Sequence, residues 1–184
     1  MTKLYLLEIS NNYPESHWFK FKHPEGVDAI EFSQSKKIDT EIETTFEKNS
    51  KKTSSKILEH DFFFSDGPNF ISPKFSDLIR SEQITGLQLM ATSIAINKEI
   101  HTGYNIFVVT NKRNCFNEKK SSFEPLIPYL PDGPRKYTSI SLDQMTTHDT
   151  DVFRAQEDFT RIIVSQRFRD LCLSNNLNGL KFVE

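Results

Sequence analysis

The chain has 184 residues, of which 23 are basic and 25 acidic, and its formal net charge is −2. This length suits one domain with a core of its own, and the charge balance argues against a dedicated nucleic-acid binder. Cys115 and Cys172 lie far apart without a C-x-x-C partner, which is compatible with a reducing compartment. No secretory leader and no apolar run of about 18 residues is visible, so we expect a cytoplasmic protein without a membrane span.

The N-terminal third predicts two short strands and then a polar segment. Residues 3–9 and 18–22 are apolar and aromatic enough to form strands. Residues 33–59 are rich in Ser, Thr, Lys and Glu, and their few large apolar residues include three at a spacing of four, Ile38, Ile42 and Phe46. That spacing fits one face of a helix or alternate positions of a strand, and the two remain open. We expect a solvated surface element here.

A twenty-residue stretch occurs twice in the chain. Residues 70–89 and 163–182 align without a gap and are identical at seven positions. Internal similarity of this kind indicates a repeated supersecondary unit. Each copy is predicted to be a strand end, a helix of about three turns, a glycine and a second strand.

The residues of the repeat explain the predicted helices. Ser72 and Ser165 are candidate N-caps, because a short hydroxyl accepts hydrogen bonds from the free N–H groups of the first turn. An apolar stripe at positions i, i+3 and i+4 follows in both copies, formed by Phe75, Leu78 and Ile79 and then by Phe168, Leu171 and Cys172. Gly86 and Gly179 are predicted to end the helices in the left-handed conformation.

The remaining pattern is dominated by strands. The main candidates are residues 60–65, 104–110 and 137–142, and shorter ones are 92–96, 152–154, 161–164 and 181–183. Residues 111–136 contain four prolines and are predicted to be a long loop. The predicted class is therefore α+β, with a mixed or antiparallel sheet, two strand–helix–strand units (70–89 and 163–182) and a polar N-terminal segment. We expect a single domain over 1–184, with a variable part at 1–59 and a core at 60–184.

No catalytic constellation is visible. The chain lacks phosphate-binding glycine loops, a nucleophile elbow and histidine pairs at metal-ligand spacing. The closest approach to a metal motif, His148, Asp149 and Asp151, is interpreted as a solvated turn. Asp61 and Asp66 are interpreted as strand-edge and turn residues, and Asp77 and Asp170 as helix-dipole residues. We predict no catalytic residue, no metal and no cofactor.

The C-terminal two-thirds resembles a known bacterial family. The residues that carry the resemblance are Asp61–Pro68, the FISPKFSDLI stretch up to Gly86, the strand at Tyr104–Thr110 followed by Cys115-Phe116-Asn117 and Ser121, and Val152–Phe182 with its Leu-x-Gly-Leu-x-Phe ending. Together they resemble immunity protein family eleven, formerly a domain of unknown function, which is encoded beside polymorphic toxins. The resemblance covers about residues 60–183.

The resemblance implies a non-enzymatic inhibitor that binds and neutralises a cognate toxin, protecting the producing cell and its kin. The partner would be a toxin domain such as a nuclease or another enzyme acting in the cytoplasm, with no role for nucleic acid or membrane. The most concentrated acidic stretch is our candidate partner-binding site: Asp39, Glu41, Glu43 and Glu47. A non-inhibitory adaptor module and, less favoured, a small hydrolase remain as alternatives.

Overall fold

The computed structural model describes residues 3–49, 54–130, 132–144 and 149–184. Its helices are α1 (Ser54–Ile57), α2 (Pro73–Ser81) and α3 (Gln166–Ser174), and 3₁₀ turns occupy Glu15–His17 and Ala29–Ser33. The strands of the described residues are β1 (Leu4–Ile9), β2 (Lys20–Lys22), β3 (Thr45–Lys48), β4 (Phe62–Phe63), β5 (Phe70–Ile71), β6 (Leu87–Ile96), β7 (Glu99–Val109), β8 (Lys112–Arg113), β9 (Ser122–Pro125), β10 (Arg135–Ser139), β11 (Val152–Ala155), β12 (Ile162–Ser165) and β13 (Leu180–Val183).

Two mixed sheets contain most of the strands, and the predicted α+β class is confirmed. One sheet has the order β2-β3-β6-β7-β5-β4, and the other has the order β13-β1-β12-β11-β8. The repeated units are β5-α2-β6 in the first sheet and β12-α3-β13 in the second. The repeat seen in the sequence is therefore a repeat of structure.

The duplication extends beyond the repeated sequence. Strand β7 lies between β6 and β5, and β1 takes the same place between β13 and β12. Phe70 pairs with Ile106, and its counterpart Ile163 pairs with Leu6. The chain thus forms two four-stranded half-sheets of matching order, β6-β7-β5-β4 and β13-β1-β12-β11. The equivalent strand follows the first unit in sequence but precedes the second.

The described residues form three apolar cores, which hold these layers together. The largest combines side chains of both sheets with both long helices, and the equivalent rings of Phe75 and Phe168 meet there with centroids 5.9 Å apart. A second core lies on the other face of the six-stranded sheet, where Phe32 and Ile57 pack from the N-terminal segment. A third core lies beneath the β9–β10 region on the five-stranded sheet. Burial of aromatic rings supplies much of the driving force for this packing.

The two long helices begin as predicted and end differently. The Ser72 and Ser165 hydroxyls accept hydrogen bonds from the N–H groups of Phe75 and Phe168, at 3.1 and 3.2 Å. The predicted stripe is fully buried at Phe75, Ile79, Phe168 and Cys172, whereas Leu78 and Leu171 are half-buried. The first residues to turn left-handed after the helices are Gln83 and Asn176, both with φ of 51°.

The prediction that Gly86 and Gly179 end the helices is therefore wrong. Both glycines have positive φ, but each stands just before a strand and against the backbone of the other unit. A Cβ at Gly86 would lie 1.9 Å from the Val152 carbonyl oxygen, and one at Gly179 would lie 2.4 Å from that of Phe62. These positions need glycine because two backbones approach closely.

Two buried aspartates join the units reciprocally. Asp61 accepts from the Ser72 hydroxyl at the start of α2 (2.8 Å) and from the Asn178 N–H of the other unit (3.0 Å). Asp151 accepts from the Ser165 hydroxyl at the start of α3 (2.9 Å) and from the Thr85 N–H (3.0 Å). Each carboxylate thus secures its own helix start and the glycine turn of the opposite unit.

This geometry corrects the interpretation of two acidic residues. Asp61 and Asp151 are both buried, so neither is an edge residue or part of a solvated turn. His148, the third residue of the metal-like motif, lies outside the described residues. The structural role of Asp151 includes an ion pair with Arg167, with 2.9 Å between Nη1 and Oδ2.

Asp151→Asn should lower the free energy of unfolding by about 1–3 kcal/mol, because the new amide NH₂ faces the donors that the carboxylate satisfies. Asp149→Asn is the matched control. Asp149 is 80% exposed and pairs with Arg113 at the surface, so its loss should cost no more than about 1 kcal/mol. Urea unfolding of the two variants gives the comparison, and equal losses would contradict the joining role of Asp151.

Three regions differ from their predicted structure. Residues 122–125 form a strand that pairs with β10, so the proline-rich segment 111–136 is only partly a loop. Pro125 is tolerated because it ends an edge strand. Between Ile38 and Phe46 the chain is irregular until β3 begins at Thr45, so the helical alternative is wrong. Residues 87–96 form one continuous strand, β6, where two were predicted.

Candidate functional site

Strand β6 has a paired half and an open half. Its second half, from Ser93 to Ile96, pairs in parallel with β3. At Thr92 the neighbouring chain diverges, and the Thr44 and Thr92 hydroxyls hydrogen-bond at 2.8 Å at this fork. In the described part of the chain, no strand pairs with the outer side of residues 87–91.

The backbone of the open half faces outward at alternate residues. The Phe107 N–H donates to Asn69 on the side away from β6, so Phe107 and its partner Leu89 form a non-hydrogen-bonded pair. Leu87 and Ala91 have the same parity as Leu89. Their N–H and C=O groups therefore point away from β7, along the free edge. No backbone hydrogen bond joins this edge to any other described residue.

A polar segment, residues 38–44, runs beside this edge and over one face of the sheet. The Gln88 side-chain amide holds it by accepting from the Ile38 N–H and donating to the Ile38 carbonyl, both at 2.8 Å. Ile38, Ile42 and Met90 contribute to the core on that face, whereas Leu89 belongs to the core on the opposite face. In the plane of the sheet, the outer edge of residues 87–91 has no backbone hydrogen-bond partner among the described residues.

The space between the segment and the edge is a groove of about 690 Å³, here named the β6 groove. Residues 38–43 form one side and residues 88–91 the other. Apolar contributions come from Ile38, Ile42, Leu89 and Met90, and acidic ones come from Asp39, Glu41 and Glu43. It combines an unpaired strand edge with a negatively charged wall.

Three of the four predicted partner-binding residues therefore lie together. Asp39, Glu41 and Glu43 occupy alternate positions of the irregular segment 38–44 and are all exposed. None of their carboxylates has an ion pair or side-chain hydrogen bond with another described residue. Glu47 lies apart on β3, where it pairs with Lys22 at 3.7 Å between Nζ and Oε2.

Two smaller concavities meet at the exposed ring of Phe159, and sequence reasoning missed them. Arg154 contributes to one and Lys112 to the other, and neither includes an acidic residue. The Arg154 guanidinium donates to the Phe159 carbonyl at 2.9 Å, and burial lowers its pKa. Acidic side chains therefore line the β6 groove, whereas the basic side chains of Lys112 and Arg154 lie at a different surface.

A packed histidine pair, His17 and His60, lies away from the β6 groove. The His17 Nδ1 and His60 Nε2 atoms lie 3.1 Å apart, and the Tyr13 ring packs against His60 at a tilt of 43° with centroids separated by 4.5 Å. Burial lowers the pKa of His60, although Glu59 and Asp61 nearby oppose the shift. None of the grooves described above includes a histidine, so this pair does not face the candidate site.

The lowered pKa of His60 predicts a loss of stability in mild acid. Below the unfolded-state pKa of about 6.5 the unfolded chain binds more protons at this site, so unfolding becomes easier as pH falls from 7 to 5. His60→Gln removes this titration and should flatten the dependence of the free energy of unfolding on pH. Urea titrations at several pH values measure both slopes, and parallel slopes would contradict the assignment.

Candidate metal ligands and free thiols are further groups of chemical interest in the structure. Within the described ranges, no cluster of three or more His, Cys, Asp and Glu side chains could hold a metal ion. Cys115 and Cys172 are buried free thiols, and burial raises the pKa of both. Cys172 thus acts as a small apolar residue in the core, as the sequence indicates. None of the helices in the described residues is long and apolar enough to cross a membrane.

An open strand edge beside a groove offers the backbone groups that strand-addition domains use to recognise extended chains. Comparison with known protein families identifies the class to which the chain belongs. The chain belongs to the Immunity protein family (Imm11), whose family model matches residues 20–184. A comparison with curated proteins found no match.

The family match extends further toward the N-terminus than residue 60, where the resemblance read from the sequence begins. It therefore includes residues 38–44 and the whole of the β6 groove. Membership carries the general role of an immunity protein, which is to neutralise a toxin.

Proposed function

We propose that this protein neutralises a cognate toxin by binding it directly, and that the β6 groove is the binding surface. Membership of the immunity protein family supports the first part. The observation that carries the second is a set of three exposed carboxylates, Asp39, Glu41 and Glu43, which have no ion-pair partner among the described residues and line a groove beside an open strand edge. Such a wall favours a toxin surface rich in lysine and arginine.

The acidic wall of the β6 groove would favour both the stability of the complex and the rate at which it forms. Exposed carboxylates without ion-pair partners gain Coulomb energy when a cationic surface docks, and they lose no existing salt bridge in doing so. A negative groove also steers a basic partner toward the productive orientation, which accelerates association at low ionic strength. A toxin that acts on nucleic acid has a basic surface of this kind.

The direct test is co-expression with the toxin domain encoded by the reading frame immediately upstream. Cells that make the toxin domain alone should stop growing, and cells that also make this protein should grow and yield a stable complex on purification. A complex that forms without rescuing growth would indicate the non-inhibitory adaptor. Absence of both rescue and complex would refute the proposal for this toxin.

A further inference from the structure

We infer that the toxin contributes an extended, basic segment that pairs as an additional strand along residues 87–91 of β6. This inference rests on the proposed function and specifies how the β6 groove is occupied. Leu87, Leu89 and Ala91 each direct one N–H and one C=O group outward, as shown by the parity of the β6–β7 pairing. These groups form a ready-made template for another strand.

The dimensions of the edge define the partner segment. Residues 87–91 span about 17 Å at the usual rise of an extended chain, so a segment of about five residues would fill it. Segment 38–44 is bonded to the Gln88 side chain through Ile38, and its Ile38 and Ile42 side chains belong to the core of Phe46 and Ile94 on one face of the sheet. An added strand would therefore continue the hydrogen-bonding direction of the existing sheet.

The negative charge of the β6 groove determines which kind of strand can add to this edge. An unprotected edge promotes association of a protein with itself, and natural proteins prevent this with charged side chains. A second copy of this chain would bring its own Asp39, Glu41 and Glu43 against the same three residues, which repel. A segment with lysine or arginine at alternate positions turns the same charges into attraction.

The fold provides an internal comparison. Strand β13 is the counterpart of β6, and it also ends its sheet with an unpaired side. It has only four residues, and Lys181 on it pairs with Glu8 at 3.1 Å. The short, charged β13 edge is typical of a protected edge, whereas the β6 edge faces a groove.

The test compares two substitutions of exposed Ala91, a residue whose N–H points outward and takes no part in the β6–β7 ladder. Ala91→Pro removes this one donor, and Ala91→Val keeps it while also favouring extended backbone. The probe is the upstream toxin domain in a catalytically inactive form, titrated by calorimetry. We expect Ala91→Pro to bind at least tenfold more weakly than Ala91→Val, with both variants giving wild-type circular dichroism.

Equal affinities of two folded variants would overturn strand addition while leaving toxin neutralisation intact. Failure of the wild-type protein to bind the toxin domain would instead refute the proposed function. If Ala91→Pro does not fold, the wild-type complex decides: cross-strand nuclear Overhauser effects between toxin backbone protons and those of Leu89 and Ala91 support the inference. A bound toxin without any such contacts to residues 87–91 overturns it.

Discussion

Reversing the charge of Glu41 and Glu43 should slow association with the toxin domain by at least about tenfold at low ionic strength. Both carboxylates are exposed on the wall of the β6 groove and have no ion-pair partner among the described residues. The double variant Glu41→Lys/Glu43→Lys replaces an attractive potential with a repulsive one at the point of encounter. Stopped-flow or surface-plasmon measurements at about 20 mM salt report the rate, and about 0.5 M salt should reduce the difference.

The control must change net charge by the same amount elsewhere. Asp77→Lys/Asp170→Lys does this on exposed positions of α2 and α3, which do not contribute to the groove. We expect this variant to lose much less of the association rate than the groove variant. Equal slowing by both variants would mean that overall charge, rather than the groove, governs the encounter. An unchanged rate for Glu41→Lys/Glu43→Lys would remove the acidic wall as an interface.

Replacing Gly86 by alanine should be among the most destabilising single changes in the chain. The residue has φ of +89°, and a Cβ would lie 1.9 Å from the Val152 carbonyl oxygen. That oxygen belongs to β11, so relief of the clash requires one half-sheet to move against the other. We expect a loss of at least about 3 kcal/mol in the free energy of unfolding, measured in urea.

Gly26 separates the two causes of that loss. It has nearly the same backbone angle, with φ of +85°, but nothing lies within 4 Å of an added Cβ. Gly26→Ala should therefore cost only about 1–2 kcal/mol, the strain of a left-handed alanine. If both variants lost the same free energy, close approach of the half-sheets would not explain the need for glycine at Gly86.

The repeated units could be predicted from sequence because their caps and apolar stripes are local signals. Ser72 and Ser165 accept from the N–H three residues ahead, and the buried faces of α2 and α3 follow the helical period. The roles of Gly86 and Gly179 could not be predicted in the same way. A glycine after a helix is compatible with a helix stop or with a close backbone approach, and only the packing of the other unit decides between them.

The correspondence of β1 and β7 also escaped sequence analysis. The two strands share hydrophobicity without identical residues, and they occupy opposite ends of their units in chain order. The burial of Asp61 and Asp151 could not be predicted either, because it depends on contacts between distant parts of the chain. Their hydrogen-bond donors Asn178 and Thr85 are distant in sequence, so no local pattern indicates that the carboxylates are buried.

The candidate site was only partly predictable. Alternation of acidic residues with Ile38, Thr40 and Ile42 indicates an exposed charged face, and the structure places Asp39 and Glu41 on it. The open edge of β6 arises because the chain joins β6 only at Thr44, and no residue pattern specifies that point. Glu47 belongs to the same acidic stretch of sequence but lies outside the groove, because it is part of β3, which is paired on both sides within the sheet.

Amide hydrogen exchange of the wild-type protein, with and without the inactive toxin domain, tests the central claim most directly. In the free protein, the amides of Leu87, Leu89 and Ala91 should exchange much faster than those of Gln88 and Met90, because only the latter are paired with β7. Binding should slow exchange at the three outward amides at least tenfold. Protection confined to the β13 edge or to the surface around Phe159, with the β6 amides unchanged, would contradict the account.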